Sequence, residues 1–251
     1  MEFQFPYNLK PSRVGDRKKF YENEFDPDFA SNWFNRKDGN LALALDVGSE
    51  TTRYKPQFKK YLDKIVYIRN FEDLETLKKK IVNYAPEDLY FSPLEYKDGS
   101  LRDKNELMFE INPDEIECNT CKFRKRKLGN NLKTFCEECV EKAADKTLEL
   151  FELLNSHFEQ LKLVFNGIGY YIIVQDKEAM EFSRKYRRGL ASRIIKEFPI
   201  NQRLTIGEKD LIRLPGSLNG IVSRKVIEIS KYDLHSPEDI YKMKSKPEFL
   251  K

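Results

Sequence analysis

Four cysteines stand in two matched pairs near the middle of the chain. Cys118 and Cys121 form one Cys-x-x-Cys pair, and Cys136 and Cys139 form the second, with fourteen residues between the pairs. This spacing is typical of a tetrahedral four-thiolate zinc site, with a redox pair or coincidence as the alternatives. Four thiolates leave no open coordination position. The sequence therefore predicts a structural Zn2+ ion that holds together an insertion with little apolar material of its own.

A strand that ends in polar residues leads into the first cysteine pair. The apolar run over residues 107–111 predicts a buried strand that contains Glu110, and Asn112 and Asp114 follow it. A strand end is a common place for carboxylates that bind a divalent ion, because such ions prefer hard oxygen ligands. Here one carboxylate and one amide stand where two carboxylates are needed. This shortage governs the functional interpretation.

The elements that must position these groups are mixed in type. Apolar periodicity predicts helices over residues 17–34, from residue 58, and over 71–82, 140–158 and 179–194. Strands are predicted over residues 41–47, 64–68, 89–92, 107–111, 161–165, 170–175 and 225–229. The pattern indicates an α+β or mixed α/β domain, because helices and strands do not alternate strictly.

The helix predicted over residues 179–194 has two chemically different sides. The core side is Ala179, Phe182, Tyr186, Leu190 and Ile194, and the basic side is Arg184, Lys185, Arg187, Arg188, Arg193 and Lys196. A basic side of this kind is either solvated or in contact with phosphates. A second basic run, Lys122 with Arg124 to Lys127, lies between the cysteine pairs. It either touches nucleic acid or offsets the negative charge of the thiolates.

Composition limits the class of protein more than it selects a function. The chain has 251 residues, 34% of them charged, and a net charge of +4, which permits a nucleic-acid partner without arguing for one. We expect one ordered domain over residues 1–251. Neither a long apolar run nor a signal-peptide pattern is seen, so we expect a cytoplasmic protein with no membrane partner.

Taken in order, these segments resemble the small subunit of the archaeal and eukaryotic DNA primase, in the archaeo-eukaryotic primase superfamily. The opening helix is similar to residues 19–25, the first catalytic motif to residues 106–112, the second motif to the hairpin 165–174, and the third to residues 212–218. The resemblance implies an α+β primase-polymerase domain with a mixed sheet and flanking helices. It also implies a zinc-binding module inserted at residues 113–140.

The family's chemistry is nucleotidyl transfer through two Mg2+ or Mn2+ ions held by three aspartates. The first motif of the family reads Phe-Asp-Ile-Asp, and this chain has Glu110 and Asn112 at the two aspartate positions. Counting back from the third motif places Asn201 at the third, on the strand that precedes this motif. The resemblance thus implies that one carboxylate remains of three.

The nucleotide-binding positions implied by the resemblance also differ from the family pattern. They are Asn166, Gly167, Tyr171, Arg213, Ser217 and Asn219. The second motif, usually Ser-Gly-Arg-Gly-x-His, has lost its arginine and its histidine, which is Tyr171 here. In the third motif, Asn219 and Ile221 replace a histidine and a lysine. The glycines and Ser217, which shape the turns, remain.

Three hypotheses follow. The leading one is a non-catalytic accessory subunit that binds single-stranded DNA through Arg184, Lys185, Arg187 and Arg188 and assembles with the primase large subunit or another replication protein. The second is an active primase that makes RNA primers with a rearranged metal site, in which neighbours of Glu110 such as Asp114, Glu115, Glu208 or Asp210 hold Mg2+ or Mn2+. The third is an unrelated zinc-stabilised nucleic-acid-binding domain.

Overall fold

The computed structural model describes residues 5–34, 43–47, 64–68, 72–92, 94–97, 100–121, 127–128, 132–208 and 211–250. Several expectations from the sequence lie partly or wholly outside these ranges. They include residues 41–42 of the first predicted strand, the helical stretch from residue 58, residue 71 of the helix predicted after it, the basic run at 122–126, and Asp210.

The helices are α1 Val14–Asn23, α2 Pro27–Phe34, α3 Leu74–Tyr84, α4 Glu137–Asn155, α5 Lys177–Met180, α6 Arg184–Ile194, α7 Gln202–Ile206 and α8 Pro237–Asp239. Shorter helical turns lie at Pro6–Asn8, Lys231–His235, Ile240–Lys244 and Glu248–Leu250. The strands are β1 Leu43–Val47, β2 Lys64–Ile68, β3 Asp88–Phe91, β4 Leu94–Lys97, β5 Ser100–Asn105, β6 Leu107–Ile111, β7 Lys127–Leu128, β8 Leu132–Lys133, β9 Leu161–Phe165, β10 Tyr170–Val174, β11 Ile212–Arg213, β12 Leu218–Asn219, β13 Arg224–Lys225 and β14 Ile227–Ile229.

Side-chain caps decide where two of these helices begin. The Asp73 carboxylate accepts a hydrogen bond from the Thr76 N–H at 2.6 Å, and the Ser183 hydroxyl accepts one from the Tyr186 N–H at 3.3 Å. Such caps satisfy backbone donors that have no partner within the helix. The Ser183 cap starts a new helix, so the single helix predicted over residues 179–194 is in fact two, α5 and α6.

Two main sheets carry the fold. One has six strands, in the order β13-β12-β3-β1-β2 with β11 also paired to β3, and the other has the order β14-β9-β10-β6. The α+β class is therefore confirmed. We expected a mixed sheet, but every pair among the described strands is antiparallel. Side-chain periodicity reports which faces are buried and carries no information about the direction of the neighbouring strand.

Strands β6 and β10 of the four-stranded sheet are buried on both faces. In β6, Leu107, Phe109 and Ile111 join a core that contains apolar residues of α4 and α6, whereas Met108 joins a second core. The second core is formed by the six-stranded sheet with α1, α2 and α3. Successive residues of a strand point to opposite faces, so Glu110 lies on the Met108 side, where the two sheets meet.

The ends of the described chain pack back onto these cores. Tyr7 and Leu9 are buried, and the Arg224 guanidinium donates a hydrogen bond to the Tyr7 carbonyl at 2.8 Å. The strand predicted over residues 225–229 is divided, because β13 belongs to the six-stranded sheet and β14 to the other. Along the described residues, no helix has the length and apolar character needed to cross a membrane.

Candidate active-site region and metal centre

Glu110 and Asn201, which are 91 residues apart in sequence, are in direct contact. The Asn201 amide Nδ2 donates to Glu110 Oε2 at 2.7 Å, and the Asn201 backbone N–H donates to the Glu110 carbonyl at 2.9 Å. We expected Asn201 on a strand, but it lies at the N-cap of α7. It directly follows a single β-bridge between Ile200 and Ile111. This bridge joins the chain before α7 to the end of β6 and so brings the two side chains together.

The three positions expected to correspond to metal ligands line one pocket. Its volume is about 550 Å³, and Glu110, Asn112 and Asn201 are among its lining residues. Glu110 is only 3% exposed. Asn112 Oδ1 accepts a hydrogen bond from the Asn166 amide Nδ2 at 3.1 Å. The side chains at all three of these positions are therefore hydrogen-bonded to other polar groups of the chain.

Two further carboxylates, Asp114 and Glu115, line the same pocket. Asp114 accepts a hydrogen bond from the Lys133 N–H at 3.2 Å, and Glu115 forms an ion pair with the Lys133 ammonium at 2.7 Å. Burial raises the pKa of Asp114 to about 6, and the negative charges of Glu115 and Glu110 also act to raise it. The hydrogen bond from the Lys133 N–H acts to lower this pKa. Lys133 thus neutralises part of the acidity that a metal ion would otherwise meet.

The remaining acidic candidate on the described chain is directed elsewhere. Glu208 forms an ion pair with Arg188 at 3.3 Å and is not among the pocket residues. Within the described ranges, the only group of three or more carboxylate, histidine or thiol ligands close enough to share a metal ion is the cysteine cluster.

The hairpin turn between β9 and β10 uses its own backbone donors. Asn166 Oδ1 accepts hydrogen bonds from the N–H groups of Ile168 and Gly169 at 3.0 and 2.8 Å. Gly167 has φ +92°, and a Cβ there would lie 2.5 Å from the Cβ of Asn219. A Cβ on Gly169 would lie 2.3 Å from Asn112 Oδ1. Both glycines are thus required because the turn presses against two asparagines.

Three asparagines link the elements around this turn, and we call them the asparagine network: Asn112, Asn166 and Asn219. The Asn219 amide Nδ2 donates to the Asn166 carbonyl at 3.1 Å, and Asn219 Oδ1 accepts from the Ile221 N–H at 3.2 Å. Asn166 and Asn219 are fully buried. The network therefore ties the end of β6, the β9–β10 turn and β12 into one hydrogen-bonded unit.

Arg213 and Ser217, expected at nucleotide-binding positions, are also buried and bonded internally. Arg213 Nε and Nη2 donate to the two carboxylate oxygens of Asp88 at 2.7 and 3.1 Å. The Ser217 hydroxyl donates to the Leu89 carbonyl at 3.5 Å. Tyr171, the remaining position, is 1% exposed and lies opposite Glu110 in the β6–β10 pair.

The four cysteines converge into one cluster. Their sulfur atoms lie within 4.8 Å of one another, with close pairs at 3.2 to 3.8 Å. Sulfurs at about 2.3 Å from a tetrahedral zinc ion are about 3.8 Å apart, so the cluster is consistent with a structural Zn2+ site. All four cysteines are free thiols. Cys136 occupies the N-cap position of α4 and Cys139 lies in its first turn, so this helix and the Cys118 segment meet at the cluster.

The thiols affect one another's protonation. Burial raises the pKa of Cys121. Burial also acts to raise the pKa of Cys118, but hydrogen bonds with the other three cysteines outweigh it and leave that pKa below its ordinary value. The cluster therefore favours the thiolate form of Cys118 more than an isolated cysteine would. A divalent cation would replace the remaining protons.

The basic helix α6 differs from its expected orientation. Arg187 is only 1% exposed, and its guanidinium donates to the carbonyls of Phe182, Glu106 and Ala179 at 3.0, 3.0 and 3.1 Å. Arg187 is thus wrongly assigned to the exposed basic side. Tyr186, expected in the core, is 50% exposed.

The prediction treated residues 179–194 as one continuous helix. Because a new helix begins after Ser183, Tyr186 and Arg187 were assigned to the wrong sides. The N-cap preference of Ser183, directly after Phe182, was the sequence signal that could have revealed the break. The exposed cations of this region are Arg184, Lys185, Arg188, Arg193 and Lys196.

The Asp88–Arg213 ion pair was not anticipated. Both residues lie in short apolar segments, where a charged residue requires a partner if it is buried. The sequence signal was therefore a charge within an apolar run at each site, with nothing to indicate that the two belong together.

The chain has an antiparallel two-sheet core whose sheets meet at β6, with a four-cysteine cluster beside it. These features define the class of protein as one with a primase-polymerase-like fold. The polymerase domain of Mycobacterium tuberculosis Ligase D, solved in complex with DNA, matches with a TM-score of 0.52 over 89% of this chain and 83% of that one, at 12% identity. No protein-family model matches the chain.

Sequence relatives identify the family. A DNA primase small subunit-like protein of Archaeoglobus fulgidus is 33% identical over 243 residues, which cover 89% of this chain and 86% of the relative. The DNA primase small subunit PriS of Sulfolobus acidocaldarius is 23% identical over 75% of this chain and 71% of its own length. The chain belongs to the DNA primase small subunit-like family of the archaeo-eukaryotic primase superfamily. The hypothesis of an unrelated zinc-stabilised domain is therefore wrong.

Proposed function

We propose that this chain is a non-catalytic member of the primase small subunit family, which holds single-stranded DNA as an accessory subunit of a primase or replication complex. One observation carries the proposal. The polar side chains at the expected metal and triphosphate positions are hydrogen-bonded to one another and to the backbone.

The metal chemistry supports this conclusion. Two divalent ions about 4 Å apart need several anionic ligands to offset their mutual repulsion. At the three aspartate positions this chain offers one carboxylate, Glu110, and one of its oxygens accepts an amide hydrogen from Asn201. Asn112 keeps a single amide oxygen, which already accepts from Asn166. An asparagine supplies neither the charge nor the number of acceptor sites of an aspartate.

The groups expected to bind a triphosphate are engaged in the same way. The turn donors Ile168 N–H and Gly169 N–H are used by the Asn166 side chain, and the Arg213 guanidinium is used by Asp88. A nucleotide would have to break these buried hydrogen bonds before it gained its own. Such an exchange contributes little net binding free energy.

Nucleic-acid binding is assigned to α6 on the basis of charge. Arg184, Lys185, Arg188 and Arg193 are exposed there, and primase relatives together with a DNA-bound structural neighbour favour DNA as the partner. The cysteine cluster is proposed to hold one Zn2+ that organises residues 113–140 as a module within a single domain of residues 1–251. The protein partner is proposed to be a primase large subunit or another replication protein.

A second candidate, an active primase with a rearranged site, is favoured by one observation. Asp114 and Glu115 line the same pocket as Glu110, so three carboxylates face one space of about 550 Å³. Against it, Lys133 binds both added carboxylates, and Asp114 and Glu115 follow Pro113, outside the strand that fixes geometry. We therefore rank this candidate second.

Primer synthesis distinguishes the two. The zinc-loaded protein is incubated with single-stranded DNA, labelled nucleotides and Mg2+ or Mn2+, beside the Glu110→Ala variant and a catalytic primase small subunit as positive control. We expect no extension products from either form of this chain. Robust synthesis that Glu110→Ala abolishes would overturn the non-catalytic proposal. The triple change to Asp at positions 110, 112 and 201 tests the converse, and we expect it to bind Mn2+ more tightly than the wild type.

DNA binding is tested separately by its dependence on salt. With about four phosphate contacts on single-stranded DNA, the affinity is expected to fall about 50-fold between 50 and 200 mM salt. The double change Lys185→Glu and Arg188→Glu should reduce both the affinity and this slope. Binding that is insensitive to salt and to the double change would remove α6 from the proposal.

A further inference from the structure

The exposed aromatic ring of Tyr186 is held in place by its neighbours. Its centroid lies 4.4 Å from that of Phe182, and the Phe182 centroid lies 6.4 Å from that of Phe158. Half of the Tyr186 surface nevertheless remains accessible. A ring that is already oriented loses little conformational freedom when a flat group stacks on it. Tyr186 is therefore suited to bind a flat ligand.

The surroundings of Tyr186 on the helix are positively charged. Helical spacing places Gly189 one turn and Arg193 two turns further along the same face of α6, and Lys185 directly precedes Tyr186 in the chain. Both charged side chains are exposed. From position 184 to position 196 the sequence contains no acidic residue. Arg184 and Lys185 moreover stand in the first turn of α6, where the helix dipole disfavours positive charge. An anionic ligand would relieve this repulsion.

Gly189 leaves open space beside the ring. A Cβ added there would meet no atom within 4 Å, and its φ does not lie in the left-handed region. Neither packing nor backbone geometry thus requires a glycine, although glycine weakens a helix relative to alanine. The missing side chain leaves the surface beside the Tyr186 ring open, and Arg193 Nε donates to the Gly189 carbonyl at 3.4 Å, which holds this guanidinium next to the open space.

We infer that this surface, the stacking face formed by Lys185, Tyr186, Gly189 and Arg193, recognises single-stranded nucleic acid by stacking a base on Tyr186. Neighbouring phosphates then contact Lys185 and Arg193. In a duplex the bases already stack on one another, so this contact selects unpaired strands. The inference rests on the proposed function, which gives α6 phosphate contacts only, and it adds recognition of the base itself.

The test compares two ligands that carry the same charge. Fluorescence anisotropy measures binding of a labelled 15-nucleotide oligothymidine and of a 15-unit abasic oligonucleotide to the full-length, zinc-loaded protein. One stacked base is worth a factor of about 5 to 150 in affinity. We expect the wild type to prefer oligothymidine within this range, Tyr186→Phe to keep the preference, and Tyr186→Ala to abolish it. Gly189→Leu, which fills the space beside the ring while favouring the helix, should also reduce it.

Thermal melting shows that each variant is folded before its affinities are compared. Equal wild-type affinity for both oligonucleotides, or a preference that survives Tyr186→Ala, would overturn the stacking inference. If the double change Lys185→Glu and Arg193→Glu weakens binding of both oligonucleotides while Tyr186→Ala leaves the preference intact, stacking is wrong and DNA binding by α6 stands. If neither change has an effect, both are wrong. Equal competition by polyglutamate would identify an acidic protein segment as the ligand and would also overturn the inference.

Discussion

Replacement of Arg213 by methionine is expected to destabilise the fold by about 3 kcal/mol. The Arg213 and Asp88 side chains are 9% and 0% exposed and are joined by two hydrogen bonds of 2.7 and 3.1 Å. Removal of one member of a buried ion pair typically costs about 3 to 5 kcal/mol, because the other charge stays buried without compensation. The Tyr90 hydroxyl still donates to Asp88 Oδ2 at 2.9 Å, so we expect the lower end of this range.

Urea unfolding followed by circular dichroism measures this loss. With a denaturant slope of about 3 kcal/mol/M, the unfolding midpoint should fall by about 1 M. Arg188→Met is the matched control, since Arg188 pairs with Glu208 at 3.3 Å on the surface, and it should change stability by less than about 1 kcal/mol. The double change Asp88→Leu and Arg213→Met should recover most of the stability.

One combination of results would contradict this structural role of Arg213. If Arg213→Met leaves the midpoint unchanged but lowers the affinity for a nucleoside triphosphate, Arg213 serves the nucleotide and not the fold. The argument that the expected triphosphate ligands are engaged internally would then be refuted at its strongest contact.

Three further predictions concern the metal cluster, one titrating carboxylate and the buried cation of α6. Cys136→Ser should lower the zinc content, measured by atomic absorption, and also the melting temperature. The reason is that structural zinc sites contribute on the order of 10 kcal/mol in small peptides. Full zinc content or an unchanged melting temperature would contradict this prediction. Asp114 has a folded-state pKa of about 6 against 3.8 ordinarily, so the protonated form is favoured by folding, and stability should fall as pH rises from about 4 to 6, by on the order of 3 kcal/mol. Asp114→Asn should lack this component when urea unfolding is repeated across the same pH series, and an identical pH dependence in the variant would refute the assignment. Arg187→Met should cost about 3 kcal/mol, because the carbonyls of Phe182, Glu106 and Ala179 lose the hydrogen bonds that Arg187 donates, while the salt dependence of DNA binding stays the same. A changed salt slope would mean that Arg187 contacts phosphate after all.

Local periodicity was sufficient for the strands that carry the site. The predicted bounds of β6 and β9 are those observed, because each is a short, largely apolar run that can be recognised without knowledge of its neighbours. The two Cys-x-x-Cys pairs likewise predicted a four-sulfur cluster, because each pair brings its two thiols together within one turn of the chain. Family membership followed from the order of these segments and is confirmed by the relatives.

Polar contacts between distant segments could not be predicted in the same way. The asparagine network joins residues 53 and 54 positions apart, and the Asp88–Arg213 pair spans 125 positions. Each of these side chains, taken alone, is equally compatible with a ligand contact at a strand end. Only the folded chain reveals that the partner of each is another residue of the protein.

The sequence by itself predicted most of the elements and the four-cysteine cluster, because these depend on residue type and on spacing along a single segment. The tertiary structure alone decided that Arg187 is buried, that Tyr186 is exposed and that the strands pair antiparallel. A buried arginine is tolerated only where carbonyl oxygens from other elements converge on it, as those of Phe182, Glu106 and Ala179 do here. That convergence is a property of how the elements pack, and no local pattern encodes it.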